Sequence, residues 1–366
     1  MLKTPKLEDF LPPQLKVSNP NRKLHHIFNE ADCYALWAAY SAGRPLLVRG
    51  KAGTGKSQMA RAIAEQLGWA FVSEVVRGST ELCDLHWHFD AIGRLGEAQA
   101  LAIPGGATDD HAKDNTKTNT NTNTNTKDKI NPLNFLAPGA FWWAFNWQSA
   151  KDQYDKCTTH LRPEPDQPDL DPHKPEEEPW HPTTGGVVLL LDEIDKAEPD
   201  LPNGLLETLG LYQFTVPYLD HSNRPEENIN PIKADPARLL VIISTNEERE
   251  LPKAFVRRCF VHTLKMEDST EQVNHPEEPD INIQKRYAWL MERGRLHFGE
   301  SIDKPVYQRA AELLWNDRSA SPNNQYLPGL AEYIDLLNAV QSLPHELQYQ
   351  RLEAIARYAL SKGLES

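Results

Sequence analysis

The chain has 366 residues, which is enough for one large domain with a smaller one, or for one domain that carries insertions. Its 39 basic and 52 acidic residues give a formal net charge of −13, which disfavours a general nucleic-acid or anionic-membrane surface, because such surfaces need concentrated Lys and Arg. The four cysteines are widely scattered, and they predict neither a disulfide framework nor a zinc cluster. The longest aliphatic run, residues 187–191, is too short to span a bilayer, so we expect a soluble cytoplasmic protein.

The first 29 residues are predicted to form an N-terminal arm. Prolines and a lack of periodicity up to about residue 23 favour a segment that lies on the surface or on a neighbour. Asn29 then has the chemistry of a helix N-cap, with Asp32 in the first turn, and the pattern predicts a helix that runs to about Ser41 and ends at Gly43.

The strongest motif is GKAGTGKS at residues 50–57, which fits the phosphate-loop pattern G-x-x-x-x-G-K-[ST] at every fixed position. An apolar run precedes it and a helical pattern, residues 57–67, follows, so its context is strand, loop, helix. Glycines in such a loop let several backbone N–H groups point at one place, and the helix N-terminus adds its positive dipole end. We expect this loop to bind a polyphosphate through Gly50, Lys51, Ala52, Gly53, Thr54, Gly55, Lys56 and Ser57.

Two side chains of this loop have separate expected roles. Lys56 would reach the β- and γ-phosphates, and the Ser57 hydroxyl would take a coordination position on Mg²⁺. The alternative is a glycine-rich turn without a ligand, which a complete match in the right context disfavours.

Residues 71–77 are predicted to form a second strand, and a mixed stretch follows. His86 and His88 lie two residues apart, so on a strand they would share one face. Paired surface histidines are favoured over a metal site there, because no third ligand lies nearby.

Two polar insertions interrupt the chain. The Asn/Thr tract at about 105–130 has almost no apolar residues and is predicted to be disordered, and the acidic, proline-rich segment at about 162–184 is predicted to be a solvated loop. Between them, the aromatic residues of 141–147 are interpreted as packing onto the core, in preference to a substrate-gripping or membrane-touching patch.

The run GVVLLL at residues 186–191 is typical of a strand that is buried on both faces of a parallel sheet. It ends in Asp192 and Glu193, where α/β sheets bind ligands. Strand alternation puts these two side chains on different sides, so Asp192 is expected to hold the Mg²⁺ shell and Glu193 to polarise an attacking water. The alternative is a surface acidic cluster.

The next buried strand, residues 239–244, is predicted to lie beside the phosphate strand, after a helix at 201–209 and a hairpin or extended loop. It ends at Asn246, whose amide is expected to position the lytic water or touch the γ-phosphate; a helix cap is the alternative. Arg257 and Arg258 then close a short helix before another strand. Adjacent arginines are usually solvated, but one presented to a neighbour's active site would stabilise transition-state charge.

The last hundred residues are predicted to be helical. Helices are expected at about 282–298, 306–315, 330–340 and 345–360, with apolar residues at helical spacing. A small helical lid fits this pattern, and a generic helical appendage is the alternative.

In this order the parts resemble the AAA+ ATPases, and within them the MoxR-like family. The carriers are GKAGTGKS, STELCDLHWHFDAIGRL, APGAFWWAF, VVLLLDEIDKAEPDLPNGLLETL, QFTVP and IISTNEERELPKAFVRRC. The resemblance implies a P-loop NTPase (AAA+) core with a parallel αβα sheet at 30–265 and a small all-helical lid at 266–366. It also implies hydrolysis of Mg²⁺-bound ATP in a homo-oligomeric ring, a hexamer, with Arg258 as the finger that acts in trans and Arg257 as the competing candidate.

The resemblance further implies a protein client, in some members a protein with a von Willebrand factor A-like domain, and neither nucleic acid nor membrane as partner. The sequence departs from the family at two places. Lys51 stands where Pro is common, and residues 319–333 contain no Arg or Lys for the lid's contact with nucleotide, with Arg318 just before. The rival functions are a nucleotide-regulated scaffold with little turnover, a small-molecule P-loop kinase and a nucleic-acid loader.

Overall fold

The computed structural model describes residues 4–12, 16–19, 24–102, 128–159, 163–168, 180–219, 230–265, 279–320 and 328–360, with backbone alone at 279–282 and 319–320. The predicted disordered insertion at about 105–130 lies outside these residues except for its last three. The acidic insertion at about 162–184 lies mostly outside them.

The described strands and helices follow each other in the order that a βα-repeating chain gives, with two small β pairs inserted. The strands are β1 (Lys16–Asn19), β2 (Leu24–Ile27), β3 (Leu46–Arg49), β4 (Ala70–Val75), β5 (Trp87–Phe89), β6 (Leu136–Pro138), β7 (Val187–Asp192), β8 (Gln213–Phe214), β9 (Ile232–Lys233), β10 (Leu239–Thr245) and β11 (Phe260–Thr263). The helices are α1 (Glu30–Ser41), α2 (Lys56–Leu67), α3 (Leu82–His86), α4 (Ala91–Ala102), α5 (Ala140–Phe145), α6 (Trp147–Lys156), α7 (Asp200–Leu211), α8 (Lys253–Arg258), α9 (Pro279–Phe298), α10 (Lys304–Ala320), α11 (Leu330–Gln341) and α12 (His345–Ala359).

Five strands form a parallel sheet in the order β11-β3-β10-β7-β4. The strand β10 therefore pairs with the strand before the phosphate loop on one side and with the strand before the acids on the other. Thr245 is opposite Arg49, and Ile243 is opposite Leu191. The carboxyl ends of these three strands consequently meet at one edge of the sheet, as the sequence predicted for β3 and β10.

The apolar runs of β7 and β10 are buried on both faces of this sheet. Leu189 and Val241 belong to the hydrophobic core on one face, whereas Leu190 and Leu240 belong to the core on the other. Because successive side chains point to opposite faces, a strand covered by helices on both sides needs an unbroken apolar run. The predicted mixed α/β architecture with a parallel central sheet is thus present.

The N-terminal residues contain two strands that the sequence analysis did not predict. β1 and β2 form an antiparallel hairpin. Phe10, Val17, Leu24 and Phe28 are buried in the same core as α2. The strands are only four residues long, too short for their alternation to stand out from the prolines around them.

The aromatic stretch after β6 is buried, which confirms the interpretation as core packing. Phe141, Trp142, Trp143, Phe145 and Trp147 all belong to the core that covers one face of the sheet. The Trp142 indole N–H donates to Ser149 Oγ at 2.9 Å, so even the polar atom of this ring has a partner.

The expectation that His86 and His88 share a strand face is wrong. His86 ends α3 and is 8% exposed; its ring stacks on Phe214 at 4.3 Å, and its Nε2 is 2.9 Å from Thr208 Oγ1. His88 lies on β5 and is exposed, 3.6 Å from Asp84. The chain changes from helix to strand between the two histidines, so the two side chains do not lie on one face of a strand.

The four C-terminal helices have a hydrophobic core of their own, which includes Leu290, Leu314, Leu337 and Leu352. The predicted boundary near residue 265 stays a prediction, because residues 266–278 are outside the described part.

All four cysteines are free thiols. In the described ranges, no helix combines the length and the apolarity that crossing a membrane requires.

Burial of His86 predicts an acid-sensitive step in stability. Burial lowers the pKa of His86 to about 4, whereas an unfolded histidine titrates near 6.5. The unfolded state therefore binds more protons as the pH falls from about 6.5 to 4, and the free energy of unfolding falls through that window. At pH 5 this group should account for about 2 kcal/mol of the loss, by linkage.

We expect His86→Gln, which keeps a hydrogen-bonding group near Thr208, to lose less stability than the wild type between pH 7 and pH 5 in urea unfolding. His88→Gln is the matched control, since that side chain is exposed and should keep the wild-type pH dependence. An identical pH dependence in His86→Gln and wild type would contradict this account.

Candidate functional site

The phosphate loop adopts a backbone that requires its glycines. Gly53 and Gly55 have φ of 76° and 92°, in the left-handed region that side chains disfavour. At Gly50, where φ is 151°, an added Cβ would lie 2.7 Å from the Leu264 carbonyl oxygen. α2 begins directly after this turn, at Lys56, so its free N–H groups open onto the loop. Lys51 and Ala52 are exposed, and Thr54 donates to the Lys51 carbonyl at 2.9 Å.

Lys56 is folded back over the loop and is only 7% exposed. Its ammonium group donates to the carbonyls of Gly50 (2.7 Å) and Lys51 (3.0 Å) and to Asn246 Oδ1 (2.7 Å). Burial lowers the pKa of Lys56, and carboxylates nearby, with Asp192 foremost, act in the opposite direction. An anion bound in the loop would therefore lie next to the buried ammonium group of Lys56.

Ser57 and Asp192 come together although 135 residues separate them. The Ser57 hydroxyl donates to Asp192 Oδ2 at 2.7 Å, and the Ser244 hydroxyl donates to Asp192 Oδ1. Hydroxyl and carboxylate oxygens are the hard ligands that Mg²⁺ takes, usually one or two from protein with the rest from phosphate and water. The described residues contain no group of three or more His, Cys, Asp or Glu suited to a metal. With one hydroxyl and one carboxylate oxygen, the pair fits Mg²⁺ bound together with a phosphate.

The Glu193 side chain has different partners from the Asp192 side chain, although Glu193 lies just after β7 and outside the strand alternation on which the expectation was based. It follows β7 directly with φ of 61°. Its carboxylate accepts from Lys196 Nζ at 2.7 Å and from Asn246 Nδ2 at 3.4 Å, and its backbone N–H donates to Ser244 Oγ at 2.9 Å. This carboxylate is consequently beside the loop without being tied to Ser57.

Asn246 connects the loop to the acids. Its Oδ1 accepts from Lys56 and its Nδ2 donates to Glu193. Asp195, which is 2% exposed, accepts from the backbone N–H groups of Asn246 (3.3 Å) and Glu248 (2.9 Å). The amide side chain is thus oriented by contacts on both of its ends and on its backbone.

Sequence reasoning gave no role to Asp195 and Ser244. The available signals were a third acidic residue directly after DEI and a serine inside an otherwise apolar strand. Both are buried polar residues, and buried polar groups need partners. Only the pairing of β7 with β10 shows which partners these are.

The structure does not bring Arg257 and Arg258 to the phosphate loop of the same chain. Both are exposed at the end of α8, and Arg258 Nη1 donates to the Leu206 carbonyl at 3.2 Å. Phe260, which starts β11, is opposite Leu46, which starts β3. The arginines therefore lie at the edge of the sheet where these strands begin, whereas the loop follows their ends.

The N-terminus of α11 faces the phosphate loop. A Cβ added to Gly53 would lie 3.2 Å from Ala331 Cβ, and Glu332 accepts from the Gly329 N–H at 2.7 Å. Arg318, the cation just before this region, donates to the Pro328 carbonyl at 2.5 Å and lies 5.0 Å from the Trp315 ring centroid. An alanine thus stands at the point of contact, in agreement with the lack of Arg or Lys in residues 319–333.

Comparison with known proteins gives a likeness among solved structures. No protein-family model matches the chain, and a search of curated proteins finds no match. Among solved structures, the chain is similar to one from Cytophaga hutchinsonii described as a "putative ATPase", at 12% sequence identity and a TM-score of 0.33, over 90% of this chain and 79% of that one. At these values the likeness carries no argument about family or activity.

The buried Asp195 carboxylate predicts a stability cost on truncation. Asp195→Ala leaves two backbone N–H groups without their acceptor, so we expect a loss of about 1–3 kcal/mol in the free energy of unfolding. Asp152→Ala is the control, because Asp152 is exposed and only accepts from Gln148 one turn away. That control should change stability by less than about 0.5 kcal/mol. Equal effects of the two substitutions in chemical denaturation would show that the Asp195 contacts do not stabilise the site.

Proposed function

We propose that the protein hydrolyses Mg²⁺-bound ATP as a MoxR-like AAA+ ring ATPase that remodels or activates a partner protein. The observation that carries this proposal is one hydrogen-bonded set formed by residues from three distant parts of the chain. Lys56 contacts Asn246, Asn246 contacts Glu193, and Ser57 contacts Asp192, all where β3, β10 and β7 end. A phosphate loop, a metal-binding acid, a water-orienting acid and a polar amide are the parts that nucleotide hydrolysis needs.

In this proposal the loop binds the phosphates of ATP. The backbone N–H groups at the start of α2 and the Lys56 ammonium group face the negative charge, and Lys56 exchanges its loop carbonyl acceptors for phosphate oxygens. Ser57 and Asp192 would hold Mg²⁺, which would offset the negative charge of the phosphates.

Glu193 would orient and polarise the attacking water. Its carboxylate is half-buried beside the loop and makes hydrogen bonds to the side chains of Lys196 and Asn246, both of which can rearrange without moving the backbone. Asn246 would position the water relative to the γ-phosphate, since its side-chain oxygen and nitrogen connect Lys56 to Glu193.

The arginines support a site that two subunits share. Four residues of extended β3 span about 13 Å, and Arg258 lies beyond the start of that strand while the loop lies beyond its end. Arg258 is exposed, and its Nη1 donates to the Leu206 carbonyl of α7. We therefore assign Arg258, with Arg257 as competitor, to the nucleotide of the next subunit in a homo-oligomeric ring, for which we propose six members.

The C-terminal helices would act as the lid. α11 touches the phosphate loop through Ala331, and the helices have a separate core, so they could rotate as a unit when the loop is filled or emptied. Such a rotation would pass the nucleotide state to a bound protein. A client with a von Willebrand factor A-like domain is part of the proposal that rests on family resemblance.

The rival functions have less support. A scaffold with little turnover has no need of a carboxylate such as that of Glu193, which contacts Asn246 beside the loop. A small-molecule kinase needs lid cations near the loop, and the segment that faces it, residues 328–333, has none. A nucleic-acid loader needs a basic surface, which a net charge of −13 disfavours.

Glu193→Gln should separate binding from turnover. The amide is nearly isosteric and cannot polarise water as a carboxylate does, so we expect nucleotide affinity within about threefold of wild type and a fall in kcat of at least about 10²-fold. Phosphate release and a fluorescent-nucleotide titration measure the two quantities. Wild-type turnover in this variant would exclude Glu193 as the water-orienting group.

Arg258→Ala should lose hydrolysis while each subunit still binds nucleotide. Loss of an arginine that acts in trans lowers kcat by about 10³- to 10⁵-fold, whereas Arg357→Ala, an exposed arginine of α12, should leave kcat unchanged. Mixing inactive Arg258→Ala with inactive Glu193→Gln should restore activity, because the second supplies its arginine to the intact carboxylate site of the first. If the two variants assemble together and the mixture still does not hydrolyse ATP, the site is not shared between subunits. If Arg257→Ala, and not Arg258→Ala, is inactive alone and regains activity in the mixture, Arg257 is the arginine that acts in trans.

A further inference from the structure

The Ser244 side chain contacts both neighbouring acids at the end of β7. Its hydroxyl donates to Asp192 Oδ1 and accepts the backbone N–H of Glu193 at 2.9 Å. It is fully buried, in the strand that pairs with β3 on one side and β7 on the other. The hydroxyl proton is therefore donated to the Asp192 carboxylate, and a lone pair of the oxygen accepts the Glu193 N–H.

The contact with Asp192 determines which oxygen faces the phosphate loop. Ser244 holds Oδ1, and Oδ2 is left to accept from the Ser57 hydroxyl at 2.7 Å. A carboxylate with one oxygen fixed in this way cannot rotate about its Cβ–Cγ bond without breaking a charge-assisted hydrogen bond. One oxygen of the carboxylate is consequently kept facing the position beside Ser57 where a cation would bind.

The contact with Glu193 fixes the backbone from which that side chain projects. Glu193 has φ of 61°, a conformation that costs a non-glycine residue of the order of 1 kcal/mol or more and persists only where the surroundings hold it. The N–H that Ser244 accepts belongs to this residue. The same hydroxyl thus sets the direction of both acids, one through its side chain and one through its backbone.

The adjacent hydroxyl cannot replace it. Thr245 is also buried, but its Oγ1 accepts the N–H of Glu247 at 2.9 Å, in the loop after the strand. Successive residues of a strand point to opposite faces, so Thr245 has no access to Asp192.

We propose that Ser244 is a positioning residue for the metal and water chemistry of this site: its hydroxyl orients the Asp192 carboxylate toward Mg²⁺ and the Glu193 backbone toward the attacking water. The proposal rests on the ATPase function proposed above, and it assigns Ser244 no contact with nucleotide. It predicts that loss of the hydroxyl affects the steps that need Mg²⁺ and leaves the binding of nucleotide by the loop intact.

The experiment compares Ser244→Ala with Ser244→Thr, which keeps the hydroxyl, and with Ser149→Ala. Ser149 is the matched control, because it is a buried serine that also makes two side-chain hydrogen bonds, to Trp142 and to the Asn146 carbonyl, away from the site. Three quantities are measured for each: ATP affinity in excess chelator, the Mg²⁺ concentration that gives half of the maximal increase in ATP affinity, and kcat. A thermal melt of each variant monitors folding.

For Ser244→Ala we expect a Mg²⁺ requirement raised about 10- to 100-fold and a kcat lowered by a similar factor, the usual effect of removing a group that orients a metal ligand. Its ATP affinity without Mg²⁺ should stay within about twofold of wild type. Ser244→Thr should recover most of both losses, and Ser149→Ala should show neither. Should the added methyl group prevent Ser244→Thr from folding, Ser244→Ala against Ser149→Ala decides the question.

Two results would overturn the proposal: a Ser244→Ala protein with wild-type Mg²⁺ requirement and kcat, or one that loses ATP affinity equally with and without Mg²⁺, which indicates a general structural role. A wild type that binds Mg²⁺-ATP without hydrolysing it contradicts the proposed ATPase function alone, and the Mg²⁺ requirement then still decides the role of Ser244. A wild type that binds no ATP overturns both.

Discussion

The carboxylate of Asp192 is held between two hydroxyl groups, one from the start of α2 and one from the middle strand of the sheet. The first contact ties the phosphate loop to the end of β7, and the second ties β7 to β10. Because both carboxylate oxygens have hydrogen-bond partners, these contacts hold the loop and the acids in their mutual positions. Every chemical role proposed for this protein depends on that arrangement.

The sheet order makes this contact possible. β10 lies between the loop strand and the acid strand, so its polar end residues reach both neighbours. Hydrogen bonds run from Lys56 through Asn246 to Glu193 on one side and from Ser57 through Asp192 to Ser244 on the other. Asp195 then accepts the backbone N–H groups of the loop that follows β10. Preorganised groups of this kind have little reorganisation left to do when charge develops in a reaction.

Much of this could be predicted from the sequence, for identifiable reasons. The phosphate loop has a local pattern whose glycines are required by positive φ, and the unbroken apolar runs of β7 and β10 could only be strands covered on both faces. The N-cap at Asn29 and its partner Asp32 could also be predicted, because a capping box depends on only four consecutive residues. These features depend on neighbours in the chain.

What could not be predicted depends on contacts between distant residues. The hydrogen-bond partners of Ser244 and Asp195 can be identified only once the pairing of β7 with β10 is known. The burial of His86 likewise depends on Phe214 and Thr208, which are distant in the chain. The N-terminal hairpin has strands of four residues that take their stability from the face of α2. The place of Arg258 at the far edge of the sheet likewise follows from the pairing of β11 with β3, and it is why the site is argued to need a neighbouring subunit.

The central claim is that one Mg²⁺-triphosphate is bound where β3, β10 and β7 end. A crystal structure of the Glu193→Gln protein with Mg²⁺ and ATP tests it most directly. The account predicts a metal ion on Ser57 Oγ, with the Asp192 carboxylate bound to it directly or through one water, and Asn246 beside the γ-phosphate. A nucleotide bound elsewhere, or an Asp192 carboxylate that lies further than one bridging water from the ion, would contradict it.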